Sequence, residues 1–183
     1  MKKIIFFLCL LVLGFESNNA NADNYKYVPY VGASYSFGVA HTNGAKPNYN
    51  IGGIYVGSEY GKYFSTEIFY NQSTYDTNNI DNIKTRTSYR SYGLDLFAYL
   101  PLDCYNRFNL VATTGVGEYV FAKKAKGDKH HNDSGWGYRF GGGLKYSFTQ
   151  NWQAKALTRY VDFDRISSFN HQMEYSVNVE YHF

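Results

Sequence analysis

Along most of the chain, apolar residues occupy every second position, and they do so in eight separate segments. Such period-2 alternation predicts β-strands whose two faces meet different surroundings. The clearest segment runs from Trp136 to Phe148, where the even positions are mostly aromatic or aliphatic and the odd positions are glycine, serine or basic. The segment from Tyr49 to Ser58 gives the weakest prediction, because either of its faces would suit an apolar environment.

One face of each segment carries no charge, apart from Glu118 at the end of the fifth segment. A lysine or arginine that faces lipid at the middle of a bilayer costs roughly 2–4 kcal/mol, so a transmembrane barrel needs such an uncharged face. A register shift of one residue would turn Arg139, Lys145 and Lys155 toward lipid. The pattern therefore predicts strands with an apolar face toward acyl chains and a polar face toward a crowded interior.

The connections between the segments alternate in length. Turn-forming residues such as Gly61 and Pro101 occur in the short ones, which lie near residues 59–62, 101–107 and 149–151. The long, polar connections lie near residues 41–48, 71–87, 122–134 and 163–172. This order predicts an all-β fold, a closed eight-stranded antiparallel transmembrane up-and-down β-barrel, with four long loops outside the cell and short turns in the periplasm.

A soluble barrel of the lipocalin type is the alternative, because alternation alone does not say which face points inward. Aromatic residues at both ends of strands, such as Trp136 with Phe148 and Trp152 with Tyr160, favour the membrane form, whose apolar band is flanked by aromatic girdles. The composition agrees, since 20 Tyr, 14 Phe and 2 Trp occur together with a mean hydropathy of −0.44. Strands of alternating polarity produce that combination.

The first segment is expected to be a secretory signal. Lys2 and Lys3 precede an apolar run over 4–15, and Ala20-Asn21-Ala22 supplies the small residues that a signal peptidase needs. We expect cleavage after Ala22, which divides the chain into a signal peptide, 1–22, and an outer-membrane β-barrel domain, 23–183.

The mature chain would be nearly neutral. Removing Lys2, Lys3 and Glu16 takes the basic count from 18 to 16 and the acidic count from 15 to 14, which leaves +2 and argues against nucleic acid as a partner. Cys9 is lost with the signal, so Cys104 has no intramolecular partner for a disulfide.

Three motifs resemble those of small eight-stranded outer-membrane barrels, namely the OmpA-like transmembrane domains and opacity-type surface proteins. They are Pro29-Tyr30-Val31-Gly32-Ala33, the glycine-rich stretch 135–144 and the closing stretch 175–183. The resemblance covers nearly the whole mature length and implies a location in the outer membrane, among its lipids and lipopolysaccharide. It also implies that alternating apolar residues form the signal recognised by the barrel-assembly machinery: Tyr175, Val177, Val179, Tyr181 and Phe183.

The predicted inward faces carry four acidic and four basic residues. An eight-stranded barrel has an interior only wide enough for side chains, and a buried charge without a partner is heavily penalised. We therefore predict a plug of salt bridges that fills the lumen, and a narrow ion-conducting path is the alternative. The residues of this predicted plug are Glu67, Asp95, Arg139, Lys145, Lys155, Arg159, Glu174 and Glu180.

The third long connection is basic, with Lys123, Lys124, Lys126 and Lys129. It is either an ordinary solvated loop or a contact for lipopolysaccharide phosphates or an anionic host surface. His130 and His131 follow, but adjacent residues point apart in an extended chain and no cysteine accompanies them, so no metal site is predicted.

The pattern offers little support for catalysis. Glu174 and Glu180 lie on one strand roughly 20 Å apart, too far to share a proton. A lipid A deacylase would need a serine beside a histidine, and only Ser167 and Ser168 near His171 would serve. We therefore predict a monomeric surface protein without enzymatic activity or cofactor, structural or an adhesin or antigen, and keep a lipid-modifying enzyme or a minor channel as the alternative.

Overall fold

The computed structural model describes residues 27–41, 48–74, 76–80, 83–125, 131–164 and 170–183, with the backbone alone at 41, 76–80, 83–86, 123–125 and 131–132. The regular secondary structure in these ranges consists of strands. They are β1 (Tyr27–His41), β2 (Asn48–Tyr60), β3 (Phe64–Ser73), β4 (Asp76–Ile80), β5 (Ile83–Pro101), β6 (Phe108–Ala125), β7 (His131–Ser147), β8 (Trp152–Asp164) and β9 (His171–His182). Within the described ranges, no helix has the length and apolar character needed to cross a membrane.

The strands close into a ring of eight antiparallel members. Strands that follow one another in sequence pair, except that β3 and β4 both pair with β5, and the pairing of β1 with both β2 and β9 contributes to closing the ring. β3 pairs with β5 over residues 64–72, whereas the short β4 pairs with the beginning of β5 and extends the same hairpin. The predicted closed eight-stranded antiparallel fold is therefore confirmed.

Where the side chains are described, the alternation separates an outer from an inner face, and on β9 the two faces are the predicted ones. The outer face presents Tyr175, Val177 and Val179 on β9, whereas Glu174, Ser176 and Asn178 between them are buried inside. Eleven residues from 173 to 183 cover roughly 25 Å along the barrel axis once strand tilt is included. That height matches the apolar band of a bilayer-spanning barrel.

The structure decides which face of the segment from Tyr49 to Ser58 points inward, which the sequence pattern left open. On β2, Tyr49, Ile51 and Tyr55 are buried inside, and Ile54 and Val56 lie on the outer face. Both phases are apolar, so the hydrophobic pattern had no basis for choosing between them.

The short turns are held by local side-chain chemistry. Gly61 adopts a φ of 67°, which a residue without a Cβ accepts easily, and Asn106 adopts 54°. The Asp103 carboxylate accepts a hydrogen bond from the Phe108 amide at 2.9 Å, and the Thr149 hydroxyl accepts one from the Trp152 amide at 3.0 Å. These bonds satisfy backbone groups that leave the strand ladder.

The second long connection is shorter than predicted. The sequence placed a polar connection over 71–87, but β3 continues to Ser73, β4 spans 76–80 and β5 begins at Ile83. A hairpin that extends beyond the apolar band is polar on both faces, because both faces meet water, so hydropathy gives no sign of its strands. β6 and β7 likewise extend to Ala125 and from His131.

Candidate functional site

The charged side chains of the lumen are segregated by strand. Among the described side chains, the lysines and arginines that form these ion pairs come from β7 and β8, whereas the acidic residues come from β2, β3, β5 and β9. Most ion pairs must therefore cross the lumen rather than run along one wall. The structure brings all eight residues of the predicted plug into ion pairs, and it adds Glu59, which the sequence had placed in a turn, and His182.

Two arginines and two carboxylates form the layer at mid-height. Arg139 contacts Asp95 and Glu174, each at 3.4 Å, and Arg159 contacts the same two at 3.6 and 3.0 Å. The Arg139 guanidinium also lies 4.0 Å from the centroid of the Phe69 ring. Each carboxylate has two cationic partners and each arginine two anionic ones, so the charge of this layer is balanced within itself.

Lys155 is the centre of the next layer toward the short turns. Its ammonium contacts the Glu67 carboxylate, and it lies 2.8 Å from Glu180 Oε2. The Tyr30 hydroxyl donates a hydrogen bond to Glu67 at 3.0 Å, and the Tyr55 hydroxyl lies 3.4 Å from Glu180. Tyrosines thus supply extra donors to carboxylates that are removed from water.

The layer nearest the short turns contains Lys145, Glu59 and His182. Lys145 Nζ lies 2.7 Å from Glu59 Oε1 and 4.0 Å from the centroid of the Tyr99 ring. His182 lies between Glu59 and Glu180. The alternation of β2 would have placed Glu59 on the inner face with Tyr55, but the turn-forming Gly61 ended the predicted strand too early.

Like charges stand directly opposite each other in two of the strand pairs. Glu67 is the register partner of Asp95 across β3 and β5, and Lys145 is that of Lys155 across β7 and β8. Like charges in such positions destabilise a sheet unless something else neutralises them. Here each of these four residues forms an ion pair with an oppositely charged residue from a different strand. These ion pairs neutralise the like charges that stand opposite each other.

Aromatic residues fill the end of the lumen near the long loops. The Tyr89 ring packs against Tyr49 and Phe121, both at 5.2 Å between ring centroids, and the Tyr119 ring lies 5.0 Å from Phe163. The Gln172 amide donates a hydrogen bond to the Tyr89 hydroxyl at 2.8 Å. The described side chains therefore fill the lumen with ion pairs from the short turns to mid-height and with aromatic rings near the long loops.

This arrangement is suited to holding the barrel rigid rather than to proton transfer. Glu174 and Glu180 lie in different layers and are each bound by cationic side chains. Both carboxylates are thus engaged in buried ion pairs that connect strands, which is a structural role.

The comparison with known protein families is decisive for the class of protein. The outer membrane protein beta-barrel domain matches residues 7–183. The chain belongs to this outer-membrane barrel family. Membership places the protein in the outer membrane and confirms the resemblance to small barrels that the sequence motifs indicated.

Solved structures share the architecture. Neisserial surface protein A matches with a TM-score of 0.71 and 15% identity, over 85% of this chain and 97% of that one. The attachment invasion locus protein of Yersinia pestis, in complex with the heparin analogue sucrose octasulfate, matches with a TM-score of 0.58 and 15% identity, over 86% and 97% of the two chains. The outer membrane enzyme PagL matches with a TM-score of 0.50 and 13% identity, over 81% and 97%. At such identities the likeness shows the fold alone.

No curated protein has a significant match to the sequence.

For a barrel of this family, the outer face of β9 is the segment predicted to be recognised during assembly. Tyr175, Val177, Val179 and Phe183 are exposed on that face, and Tyr181 is half-buried beside Trp152 and Phe183. Their role as an assembly signal remains a prediction, as does the signal peptide over 1–22, which lies outside the described residues.

Two further predicted sites lie wholly or partly outside the described part of the chain. The side chains of Lys123 and Lys124 and all of Lys126 and Lys129 are outside it, and so are Ser167 and Ser168. The remaining member of the deacylase hypothesis, His171, stacks its ring on Tyr160 with 5.4 Å between centroids, at the rim near the long loops.

Proposed function

We propose that this outer-membrane barrel is a non-enzymatic surface protein whose rigid, plugged cylinder displays its long loops to partners outside the cell. Four connections lie at the display end, between β1 and β2, β4 and β5, β6 and β7, and β8 and β9. A scaffold that holds loops firmly suits recognition, because the loops can vary while the strands keep their ends in place.

The observation that carries this proposal is the occupation of the lumen by paired charges. Arg139, Arg159 and Lys155 each contact two carboxylates from different strands. Opening a path for ions would require these pairs to separate inside a medium of low dielectric, at a cost of several kcal/mol. Contacts with partners therefore fall to the outer ends of the strands and to the loops.

The partner that fits the sequence best is a polyanion. Lys123, Lys124, Lys126 and Lys129 are concentrated at the end of β6 and in the connection that follows it, and Asp128 and Asp133 offset only part of their charge. Sulfated polysaccharide and lipopolysaccharide phosphate share the negative charge that such a loop would attract. The match to a barrel solved with a heparin analogue supports this choice.

Heparin binding by the folded, detergent-solubilised protein tests the proposal. We expect Lys123→Gln with Lys124→Gln to weaken binding roughly three- to tenfold, because each exposed lysine–sulfate contact contributes up to about 1 kcal/mol. The quadruple variant that also changes Lys126 and Lys129 should bind more weakly still. The loss should shrink as the salt concentration rises, since exposed charges are screened.

A variant with the same change in net charge at the opposite end provides the control. Lys62 and Arg107 are exposed in short turns, and changing both to glutamine should leave heparin binding nearly unchanged. Equal losses in the two double variants would mean that net charge and not the loop binds heparin, which would contradict the proposal.

The enzymatic and channel alternatives give different signals. A lipid A deacylase would release acyl chains in a membrane extract and lose that activity in a Ser167→Ala, Ser168→Ala variant. A channel would give steps of current in a planar bilayer. Either result would replace display as the main role of the barrel.

A further inference from the structure

The outer face of the barrel is hollowed over β1, β8 and β9. A cavity of about 410 Å³ opens there, and it is lined by two rows of side chains in which neighbours are register partners. These six side chains are Phe37, Tyr175 and Thr158 in the row nearer the loops, and Tyr35, Val177 and Ala156 in the row nearer the short turns. We refer to this cavity as the outer-face groove.

Main chain and small side chains form the floor of the groove. Leu157 and Ser176 also line it, but their side chains are buried in the lumen, so their backbone is the part that faces outward. Ala156 and Thr158, on either side of Leu157, have short side chains that cover little of this backbone. The floor therefore lies close to the level of the sheet itself.

Aromatic rings form the walls on the side of β1 and β9. Tyr35, Phe37 and Tyr175 are all exposed on the outer face, where they stand out from the sheet. The Tyr35 hydroxyl donates a hydrogen bond to Asn50 Oδ1 at 3.1 Å, which holds that ring in place. The low floor and the aromatic walls offer contacts on more than one side to an apolar group that enters the groove.

The groove lies between the mid-height of the barrel and the long loops. On β9, Val177 is midway between His171 and Phe183, and Tyr175 is nearer the loops. For a member of this family, the outer apolar band is the surface that contacts acyl chains. The groove is continuous with that surface and faces the leaflet on the side of the long loops, which in a bacterial outer membrane consists of lipopolysaccharide.

We propose that the outer-face groove binds one saturated acyl chain of lipopolysaccharide. Water does not drive apolar groups together inside a bilayer, so van der Waals packing decides which contacts persist there. A chain on the convex part of the barrel touches protein along one side only, whereas a chain in the groove touches the floor and the walls. The additional carbon–carbon contacts add dispersion attraction and hold this chain longer than its neighbours.

A second copy of the barrel is the competing occupant. A stable protein interface takes about 20–30 residues from each partner, whereas eight residues line the groove. The outer face of another barrel is convex and would bridge the groove without filling it. An acyl chain is thin enough to enter the groove, so it fits better than a second copy.

Filling the groove with a larger side chain tests the proposal. The barrel is extracted from outer membranes in mild detergent, and native mass spectrometry identifies the lipid that stays bound. We expect wild type to retain one lipopolysaccharide molecule, and Ala156→Leu to retain roughly fivefold less or lower, because several carbon–carbon contacts are lost together. Ala112→Leu, at an exposed alanine on the outer face of β6, is the matched control and should retain as much as wild type.

The same measurement shows which lipid binds and which part of it is held. Equal retention by Ala156→Leu and Ala112→Leu would overturn the proposal, and so would a phospholipid in place of lipopolysaccharide. Lys123→Gln with Lys124→Gln, in the basic region proposed to bind polyanions, should reduce retention less than Ala156→Leu does. A loss in the lysine variant with none in Ala156→Leu would mean that the phosphates and not the acyl chain hold the lipid.

The mass of the extracted protein also decides between a lipid and a second copy. We expect wild type and Ala156→Leu both to be monomers, which differ only in the lipid that they retain. A wild-type dimer that Ala156→Leu dissociates would assign the groove to contact between barrels and overturn the proposal.

Discussion

At the scale of single residues, the buried cations differ in how far other groups can replace them. Arg139 and Arg159 contact the same two carboxylates, so the loss of one leaves the other in place. Among the described side chains, Lys155 is the only cation that contacts Glu67, and only 1% of its surface is exposed. Lys155 is therefore the charge whose removal should disturb the lumen most.

Lys155→Met keeps an unbranched side chain that is one atom shorter and removes its charge. We expect it to lower the free energy of unfolding by about 3–5 kcal/mol, because Glu67 would remain buried without a cationic partner. Denaturant unfolding of the barrel in vesicles, followed by the fluorescence of Trp136 and Trp152, measures the change.

The matched control is Lys62→Met in an exposed turn, which should change stability by less than about 0.5 kcal/mol. Adding Glu67→Gln to Lys155→Met should recover part of the loss, since it removes the unpaired charge. If Lys155→Met were as stable as its control, the salt-bridged plug would not stabilise the barrel.

At the scale of strands, the sequence predicts a face only where the two faces differ in polarity. On β8 and β9, charged and amide residues mark the inner face, and the phase is unambiguous. On β2 the inner tyrosines are apolar enough for either face, and only the fold reveals that their hydroxyls reach partners such as Thr87 and Glu180. A tyrosine satisfies both environments, so its position in a pattern cannot decide between them.

Two lysine substitutions on one face of β2 test that assignment. Ile54, of which 65% is exposed, lies in the middle of the apolar band, and Asn50 lies four residues nearer the loops on the same face. We expect Ile54→Lys to cost roughly 2–4 kcal/mol and Asn50→Lys at most about 1 kcal/mol, because the penalty for a lysine falls toward the interface. Folding into vesicles, monitored by denaturant titration, gives both values.

Similar costs for the two variants would contradict a lipid-facing position for Ile54. If Tyr55→Lys were better tolerated than Ile54→Lys, the assignment of Tyr55 to the inner face of β2 would be supported, because Tyr55 faces a lumen that already holds carboxylates.

At the scale of the whole molecule, closure of the barrel was predictable and the pairing inside it was not. The number of strands and their order follow from eight alternations and the lengths of the connections. Lys145 forms an ion pair with Glu59, and Lys155 forms one with Glu180. Which carboxylate lies next to which lysine depends on how far the strands are staggered around the ring. That stagger brings together residues 86 positions apart, as for Lys145 and Glu59, and no local pattern reports it.

The orientation of the barrel can be tested with Cys104. It is exposed in the short turn between β5 and β6. Short turns of outer-membrane barrels face the periplasm, so a membrane-impermeant maleimide should label Cys104 only after the outer membrane is permeabilised. The variant Cys104→Ser, Lys126→Cys moves the thiol to the connection between β6 and β7, and it should be labelled on intact cells.

The single variant Cys104→Ser completes the argument, because it bears on the signal peptide as well. If the chain is cleaved after Ala22, Cys9 is removed and this variant has no thiol left to label, even in permeabilised cells. Labelling of Cys104→Ser would mean that residues before Ala22 are retained. Labelling of Cys104 itself on intact cells would place the short turns outside, and the basic connection that is proposed to bind polyanions would then face the periplasm.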